Sequence, residues 1–248
     1  MRPAARASSS DEAGHHRVGR VAEKRFLLWD IDQTLIDTGG AGRTAFAAAF
    51  AAATGVPMRE MADPAGQLDP HIFADTLELH GLTYDAAGYA HFAGLLAAGY
   101  REHAERMRTH GKVLEGVPAA LKSVLHRDGV ISTVLTGNSR AGAEAKLEIF
   151  ELAGYLDLAV GAYGEDEATR AELVPRAWQR AERRHRIRFD PARTLVIGDT
   201  PRDIAAAHAN GVEVVAVASG RFSQDELRTA GADFVLPDLT GFDLSHFG

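Results

Sequence analysis

The sequence predicts an α/β fold, in which a parallel sheet is flanked by helices and carries an all-helical insertion. Three observations predict this fold. Short apolar runs end directly in polar residues, as buried parallel strands do where their carboxyl ends open into a site. Helical segments separate these runs, which is typical of a sheet covered on both faces. One stretch, residues 43 to about 110, has several helical patterns and no convincing strand.

The composition is that of a globular protein with an acidic balance. The chain has 248 residues, of which 46% are hydrophobic, enough for one large domain or a core with an insertion. The net charge of −7 offers no basic surface for nucleic acid or an acidic membrane. No apolar run is long enough to span a membrane. A small or phosphorylated metabolite is therefore the expected partner. The sequence leaves both a monomer and a homodimer open.

The cysteine content bears on the chemistry and on the compartment. The chain has no Cys, so it has no disulfide, no thiol nucleophile and no thiolate metal site. This agrees with a cytoplasmic protein, since disulfides are rare in reducing compartments.

The sequence divides into three parts. Residues 1–24 have almost no large apolar side chains and lack the hydrophobic centre of a secretory signal, so we expect a disordered tail. Residues 40–111 are predicted to form a helical cap domain of a size typical of small helical subdomains. Residues 25–39 and 112–248 are predicted to form the α/β core domain.

Each element is placed by its periodicity and by the residues that bound it. In the insertion we expect helices over 43–53, over 70–80 with Asp69 as its N-cap, and one or two over 84–108. The core elements expected after the insertion are helix 119–127, strand 130–135, helix 141–152, a weaker strand 158–162, helix 171–185, strand 194–199, helix 203–209, and strands 212–218 and 234–236.

The first predicted strand ends in alternating carboxylates. Residues 26–29 are apolar, and Asp30 and Asp32 follow them. Side chains two apart on an extended strand share a face, so these carboxylates would repel each other unless a cation lay beside them. A hard divalent ion such as Mg²⁺ suits a site of one or two carboxylates, phosphate oxygens and water.

Polar residues also follow two later strands. Thr136, Gly137 and Asn138 come after the strand at 130–135, and Asp199 ends the strand at 194–199, with Asp203 close behind. The carboxyl ends of strands in an open α/β sheet converge on one crevice, so these segments can meet the first pair of carboxylates.

These segments resemble the motifs of the haloacid dehalogenase-like (HAD) hydrolase superfamily. The sequence DIDQT at 30–34 resembles motif I, LTGNS at 135–139 resembles motif II, and IGDTPRD at 197–203 resembles motif IV. The helical block after motif I resembles the C1-type cap of phosphoglycolate phosphatase and β-phosphoglucomutase relatives. The resemblance covers nearly the whole chain except the tail and implies a Rossmann-like core with a C1 cap.

The resemblance implies a role for each motif residue. Asp30 would be the nucleophile that forms an aspartyl-phosphate. Asp32 would be the general acid for the leaving alcohol and then the base for water. Thr136 would bind the phosphate with its hydroxyl, helped by the backbone amides of Gly137 and Asn138 at a helix start.

The resemblance also implies a magnesium site. Asp30, the backbone at Asp32, and Asp199 would hold Mg²⁺, with Asp203 as an outer or alternative ligand. A competing interpretation of Asp203 is a carboxylate that stabilises a helix N-terminus.

The chain departs from the family pattern at two positions. Motif III is normally a Lys, whereas Arg170 stands before the long helix here; Arg keeps the charge and can bind and catalyse in its place. Lys146 is a rival cation, expected to point elsewhere because it lies about three turns from Thr136. Gln33 occupies a position where Gly is common. A Gly there would ease a tight turn, so Gln33 is expected to alter the bend slightly.

Candidate substrate contacts lie in the insertion. Gln67 resembles a residue of the segment that this cap type lays over the active site, and Asp69 is a second candidate. Arg43 and Arg108 are possible anion contacts, although an exposed helical Arg explains each equally simply.

Several functions are weighed on these residues. Asp32 argues against a dehalogenase, because a halide needs no proton, and the lack of Lys from residue 27 through 111 argues against a phosphonatase. The main hypothesis is a magnesium-dependent phosphatase of small phosphate monoesters. A phosphomutase of the β-phosphoglucomutase type, or a non-catalytic binding protein on this scaffold, stays open.

Overall fold

The computed structural model describes residues 24–83 and 85–247. The expected disordered tail therefore lies, except for Lys24, outside the described residues. The described strands are β1 (Arg25–Trp29), β2 (Ile36–Asp37), β3 (Lys112–Val113), β4 (Val130–Val134), β5 (Thr194–Gly198), β6 (Glu213–Val217) and β7 (Phe234–Leu236).

Helices and strands alternate after the insertion, except that α7 follows α6 without a strand between them. The described α-helices are α1 (Ala41–Thr54), α2 (Asp69–Leu79), α3 (Ala86–Glu102), α4 (Ala104–His110), α5 (Val117–Leu125), α6 (Arg140–Ile149), α7 (Arg170–His185), α8 (Pro201–His208) and α9 (Gln224–Thr229). No helix in the described ranges combines the length and the apolar character needed to cross a membrane.

The main sheet has five parallel strands in the order β4-β1-β5-β6-β7. The last residue of β1, Trp29, pairs with Val134 of β4 and with Ile197 of β5. The three strands therefore end level with one another. Asp30 and Asp199, which follow β1 and β5, leave the sheet at the same edge.

Both faces of the sheet are buried, which explains why β1 is apolar from Phe26 to Trp29. Leu27 and Trp29 pack on one face against residues of α5 and α6. Phe26 and Leu28 pack on the other face against α7, α8 and α9. The predicted α/β fold, a parallel sheet flanked by helices, is confirmed.

The helical block, α1 to α4, has its own aromatic core. Phe73 stacks on Phe92 with ring centroids 4.2 Å apart, and Phe46 meets Phe92 edge-on at 4.8 Å. The same cluster includes Ala145 and Ile149 of α6, so the block packs directly on a helix of the sheet. The antiparallel pair β2 and β3 lies where the chain enters and leaves the block. The division into cap and core domains at 39/40 and 111/112 stays a prediction.

One expected element is absent, and one helix of the structure was not expected. No strand forms over 158–162, because residues 158–160 turn away from the sheet and Val160 N donates to Asp157 O at 3.1 Å. The segment pairs with the residue that follows β4 through an isolated bridge between Leu135 and Ala162. Helix α9 was not expected, although the Ser223–Glu226 capping box that begins it is a readable local signal.

Candidate active site

A cavity of about 620 Å³ opens at the carboxyl edge of the sheet, between the sheet and the helical block. Its wall includes eleven of the residues that the sequence singles out: Asp30, Asp32, Gln33, Arg43, Gln67, Asp69, Gly137, Asn138, Lys146, Arg170 and Asp199. Thr136 and Asp203 are fully buried and are not part of the wall. Residues up to 169 positions apart in the sequence therefore meet at one site.

Three buried carboxylates form an acidic cluster, Asp30, Asp199 and Asp203. One oxygen from each lies within 4.8 Å of the others. Burial and mutual repulsion raise the pKa of both Asp30 and Asp199 well above the ordinary carboxyl value. The Asp32 carboxylate is not part of the cluster.

Arg170 is the cation beside the acidic cluster. Its Nη2 donates to Asp30 Oδ1 at 2.8 Å and lies 2.6 Å from Asp203 Oδ1. Arg170 is the first residue of α7, which begins with a capping box formed by Thr169 and Glu172. The capped helix start directs the guanidinium toward the end of β1.

Asp32 has a cation of its own, Lys146. The Lys146 Nζ lies 2.8 Å from Asp32 Oδ1 and 2.7 Å from Asp32 Oδ2. The expectation that Lys146 points elsewhere is therefore wrong. Helix α6 begins only at Arg140, so Lys146 lies less than two turns from its start, and helical side chains lean toward the N-terminus.

The turn after β1 explains Gln33. Gln33 has a φ of 61°, in the left-handed region where Gly is favoured. Its backbone is held in place, since Gln33 N donates to Ile36 O at 2.7 Å and the Ser219 hydroxyl donates to Gln33 O at 2.6 Å. Gln33 therefore takes up the left-handed conformation that favours Gly, and these hydrogen bonds hold it there.

The loop between β4 and α6 is tightly packed under the helical block. Asn138 Nδ2 donates to Thr136 Oγ1 at 2.8 Å, and Asn138 N donates to the same oxygen at 3.2 Å. A Cβ on Gly137 would lie 1.9 Å from Gln67 O, so only glycine allows this approach. Asp69 N also donates to Gly137 O, at 2.7 Å.

Asp203 combines the two interpretations that the sequence left open. It is the third residue of α8, and its Oδ2 accepts from the Thr200 backbone N at 3.0 Å and from the Thr200 hydroxyl at 2.7 Å, which completes a capping box. Its Oδ1 faces Arg170 in the acidic cluster. The helix-capping interpretation is confirmed, and the position also suits a metal.

Asp69 is not the N-cap of α2, contrary to the expectation. Leu68 occupies the N-cap position, and Asp69 is the first helical residue. Its Oδ2 instead accepts from Ser139 N at 2.8 Å, across the cavity wall. Burial raises the pKa of Asp69 to about 6, against the opposing effect of Lys146. The expectation failed because Asp69 lies one residue inside α2, where its carboxylate contacts Ser139 at the start of α6 instead of capping its own helix.

The raised pKa of Asp69 makes stability depend on pH. The folded protein holds the proton more tightly than the unfolded chain, so the charged form opposes folding once the pH exceeds the unfolded pKa. Relative to Asp69→Asn, the wild type should lose roughly 2–3 kcal/mol of unfolding free energy as the pH rises from about 4 to 7. Urea denaturation of both proteins at the two pH values measures it. The prediction is contradicted if the difference in unfolding free energy between the wild type and Asp69→Asn stays constant, or changes in favour of the wild type, as the pH rises.

Three further residues of the wall were not predicted or were given less weight. Tyr100 of α3 lies over Lys146, with Nζ 4.8 Å from the ring centroid. Arg221 pairs with Asp63 at 2.9 Å. Arg43 lines the cavity, whereas Arg108 lies outside the wall and pairs with Glu105 at 3.8 Å. Tyr100 and Arg221 carry no local signal, because only the packing of distant helices and loops brings them here.

The chemistry of the acidic cluster suits a divalent cation. It offers only carboxylate oxygens, which hard ions such as Mg²⁺ prefer. Three carboxylates face one guanidinium, so the cluster keeps an excess of negative charge when all are ionised. A bound divalent ion would offset that charge, so the residues present fit the magnesium that the motifs imply.

The family model for haloacid dehalogenase-like hydrolases matches residues 25–211. The chain belongs to the haloacid dehalogenase-like hydrolase family. The matched residues run from β1 to the end of α8 and include the acidic cluster, Asp32 and Arg170.

Comparison of sequence finds a relative in Caldanaerobacter subterraneus subsp. tengcongensis that carries the provisional name pyrophosphatase PpaX. The two are 28% identical over 142 residues, which is 56% of this chain and 61% of the relative. The match therefore spans less than two thirds of that protein.

Comparison of structure finds solved proteins that match this chain over nearly their whole length. CbbY from Rhodobacter sphaeroides, in complex with phosphate, has a TM-score of 0.65 and 19% identity, covering 88% of this chain and 96% of that one. A protein from Haemophilus somnus 129PT described as a predicted phosphoglycolate phosphatase has a TM-score of 0.60 and 17% identity, covering 90% and 97%. At these identities the likeness shows a shared fold.

Proposed function

We propose that this chain is a magnesium-dependent phosphatase that hydrolyses a small phosphate monoester through an aspartyl-phosphate on Asp30. The observation that carries the proposal is the separate pairing of the two carboxylates of motif I. Asp30 lies in the acidic cluster beside Arg170, and Asp32 is held by Lys146. Two carboxylates with distinct surroundings suit one nucleophile and one proton-transfer group.

In the first half of the proposed reaction, Asp30 attacks phosphorus. A bond forms between a carboxylate oxygen of Asp30 and phosphorus, and the ester bond between phosphorus and the leaving oxygen breaks. Asp32 gives its proton to that leaving oxygen, so that an alcohol departs. Arg170 offsets the charge of the nucleophile and of the phosphate that approaches it.

In the second half, Asp32 takes a proton from a water molecule that attacks the aspartyl-phosphate. The new bond joins the water oxygen to phosphorus, the bond between phosphorus and Asp30 breaks, and inorganic phosphate leaves. Asp30 is regenerated as a carboxylate and Asp32 as an acid, so protons balance over the cycle.

The metal would be held by the acidic cluster together with the backbone at Asp32. Bound there, Mg²⁺ would neutralise charge on the phosphate oxygens during transfer. Asp199 lies at the end of β5 and accepts a hydrogen bond from the Thr34 hydroxyl at 3.3 Å, which orients it toward Asp30. Asp203 is oriented by its bonds to Thr200.

The phosphate contacts proposed for this site are Arg170, the loop after β4 and Gln67. Gly137 and Asn138 line the cavity at the start of α6, where backbone N–H groups favour anions. The two described hydrogen bonds of Thr136 Oγ1 are both accepted, which leaves the hydroxyl proton available as a donor. Gln67 faces the cavity from the segment before α2.

The relatives support the phosphatase proposal at the level of chemical class. One is named as a pyrophosphatase, one is described as a phosphoglycolate phosphatase, and one was solved with phosphate. The wall beyond the acidic cluster contains Phe46, Met61 and Ile72 along with Arg43, so the cavity can hold a small organic group attached to the phosphate. The names of the relatives and the apolar part of the cavity wall together support phosphate monoesters as the proposed substrates.

The function is tested by phosphate release from p-nitrophenyl phosphate and from a panel of metabolite phosphates. We expect release with Mg²⁺ and none after chelation by EDTA, with recovery when Mg²⁺ is restored. Isomerisation of a sugar phosphate without release of phosphate would favour the phosphomutase instead. Absence of turnover across the panel would favour a binding protein.

The metal site is tested separately from turnover. We expect Mg²⁺ alone to raise the Tm of the wild type, because a ligand that binds only the folded state stabilises it. Asp199→Asn should abolish this rise, whereas Asp225→Asn, at an exposed position on α9, should keep it. Differential scanning fluorimetry with increasing Mg²⁺ measures both. An equal Tm rise in Asp199→Asn contradicts the assignment of Asp199.

A further inference from the structure

Lys146 is a buried cation at the wall of the cavity. It lies on α6 next to Ala145 and Leu147, both fully buried, and its own side chain is 5% exposed. Burial of an ammonium group costs free energy unless the charge is paired. The role proposed for Arg170 at Asp30 leaves this second buried cation without a function.

Lys146 closes a ring of three polar side chains around Asp32. It contacts both oxygens of Asp32, and it donates to Asn138 Oδ1 at 2.6 Å. Asn138 Nδ2 in turn donates to Asp32 Oδ2 at 2.8 Å. Each of the three residues therefore contacts the other two, and both carboxylate oxygens of Asp32 have a fixed donor.

The helical block completes the surroundings of Lys146. The ring of Tyr100, on α3, covers the ammonium group at 4.8 Å, a distance typical of a cation–π contact. Asp32 itself is 41% exposed toward the cavity. The cation is thus enclosed between α3 and α6, while the carboxylate that it holds stays accessible to a substrate.

We propose that Lys146 is a positioning residue that holds the Asp32 carboxylate in the orientation required for proton transfer to the leaving oxygen. This inference rests on the proposed phosphatase function. A half-exposed Asp side chain without a fixed partner samples several rotamers, and a small misplacement of a proton-transfer group lowers its contribution. Lys146 acts on the reaction through Asp32, and Arg170 acts at Asp30.

The inference predicts an effect that depends on the leaving group. An alkyl phosphate loses a basic alkoxide and needs a proton from Asp32, whereas p-nitrophenolate departs without one. The ratio kcat/KM covers the steps up to release of the leaving group. In Lys146→Met, we expect kcat/KM for an alkyl phosphate to fall roughly 100-fold, and kcat/KM for p-nitrophenyl phosphate to fall less than about tenfold.

Three variants make the test specific. Lys146→Arg keeps a cation that can bind both oxygens of Asp32 and should recover much of the alkyl phosphate activity. Tyr100→Leu removes the ring that covers the ammonium group and should reproduce the leaving-group dependence more weakly. Lys122→Met, at an exposed position on α5, should leave both substrates unchanged. Thermal unfolding of every variant identifies any that do not fold.

The measurement is kcat/KM for glycerol phosphate and for p-nitrophenyl phosphate in the wild type and all four variants, with saturating Mg²⁺. A selective loss on glycerol phosphate in folded Lys146→Met or Tyr100→Leu supports the inference. Equal losses on both substrates, or no loss, in folded Lys146→Met, or in folded Tyr100→Leu if Lys146→Met does not fold, overturn it while the phosphatase function stands. No turnover of either substrate by the wild type overturns the proposed function, and this inference with it.

Discussion

Replacing Asp30 with Asn should abolish phosphate release. We expect kcat/KM to fall by at least about three orders of magnitude, because the amide cannot form the covalent bond to phosphorus on which the proposed reaction depends. The expected loss is the same for p-nitrophenyl phosphate and for alkyl phosphates, since both pass through the same nucleophile. Stopped assays of phosphate release with Mg²⁺ measure it.

The stability of Asp30→Asn separates chemistry from folding. Burial and neighbouring carboxylates raise the pKa of Asp30, so the ionised group opposes folding above the unfolded pKa, and its removal should not lower the Tm at pH 7.5. Arg170 keeps Asp203 as a partner in this variant. Asp75→Asn, an exposed acid on α2, is the matched control and should retain activity. Substantial turnover by Asp30→Asn would refute the nucleophile assignment.

Replacing Arg170 with Met should have the largest effect on stability. Arg170 and its partners Asp30 and Asp203 have side chains at most 8% exposed. Removal of the cation leaves two buried carboxylates without their pair, a change that costs about 3–5 kcal/mol of unfolding free energy. We also expect activity to be lost, because the charge beside Asp30 is lost. Urea denaturation measures the stability.

Two comparisons make the Arg170 prediction specific. Arg176→Met, on the same helix, breaks a partly exposed pair with Glu167 and should cost less than about 1 kcal/mol. Adding Asp203→Asn to Arg170→Met should restore part of the lost stability, because it removes one unpaired charge. A cost below about 1 kcal/mol for Arg170→Met would mean that the cluster does not depend on this cation.

The core elements could be predicted because their signals are local. The run before Asp30 is apolar because β1 is buried on both faces, and its burial pattern follows directly from its composition. The capping boxes at Thr169 and Thr200 begin α7 and α8 within two residues of the expected starts. The weak strand at 158–162 failed because a short apolar run does not distinguish a strand from a turn that packs against one.

The sequence predicted which residues belong to the candidate site better than it predicted which of them contact each other. The positions of Asp30 and Asp199 follow from parallel strands that end at one edge, and Arg170 follows from the resemblance to motif III. The partners of Lys146 and Asp69 did not follow from the sequence, because each depends on where a distant helix begins. Asp69 contacts Ser139, 70 residues away, and Lys146 contacts Asp32, 114 residues away.

The sequence by itself determined the α/β class, the order of the motifs and the pair of carboxylates after β1, because apolar periodicity and capping residues act over a few neighbouring positions. Only the tertiary structure decided which cation serves which carboxylate. Arg170 and Lys146 both carry a charge of the right sign, and the spacing that favoured Arg170 gave the wrong direction for Lys146. The choice depends on the geometry of α6 and α7 against the sheet, which places one cation at Asp30 and the other at Asp32.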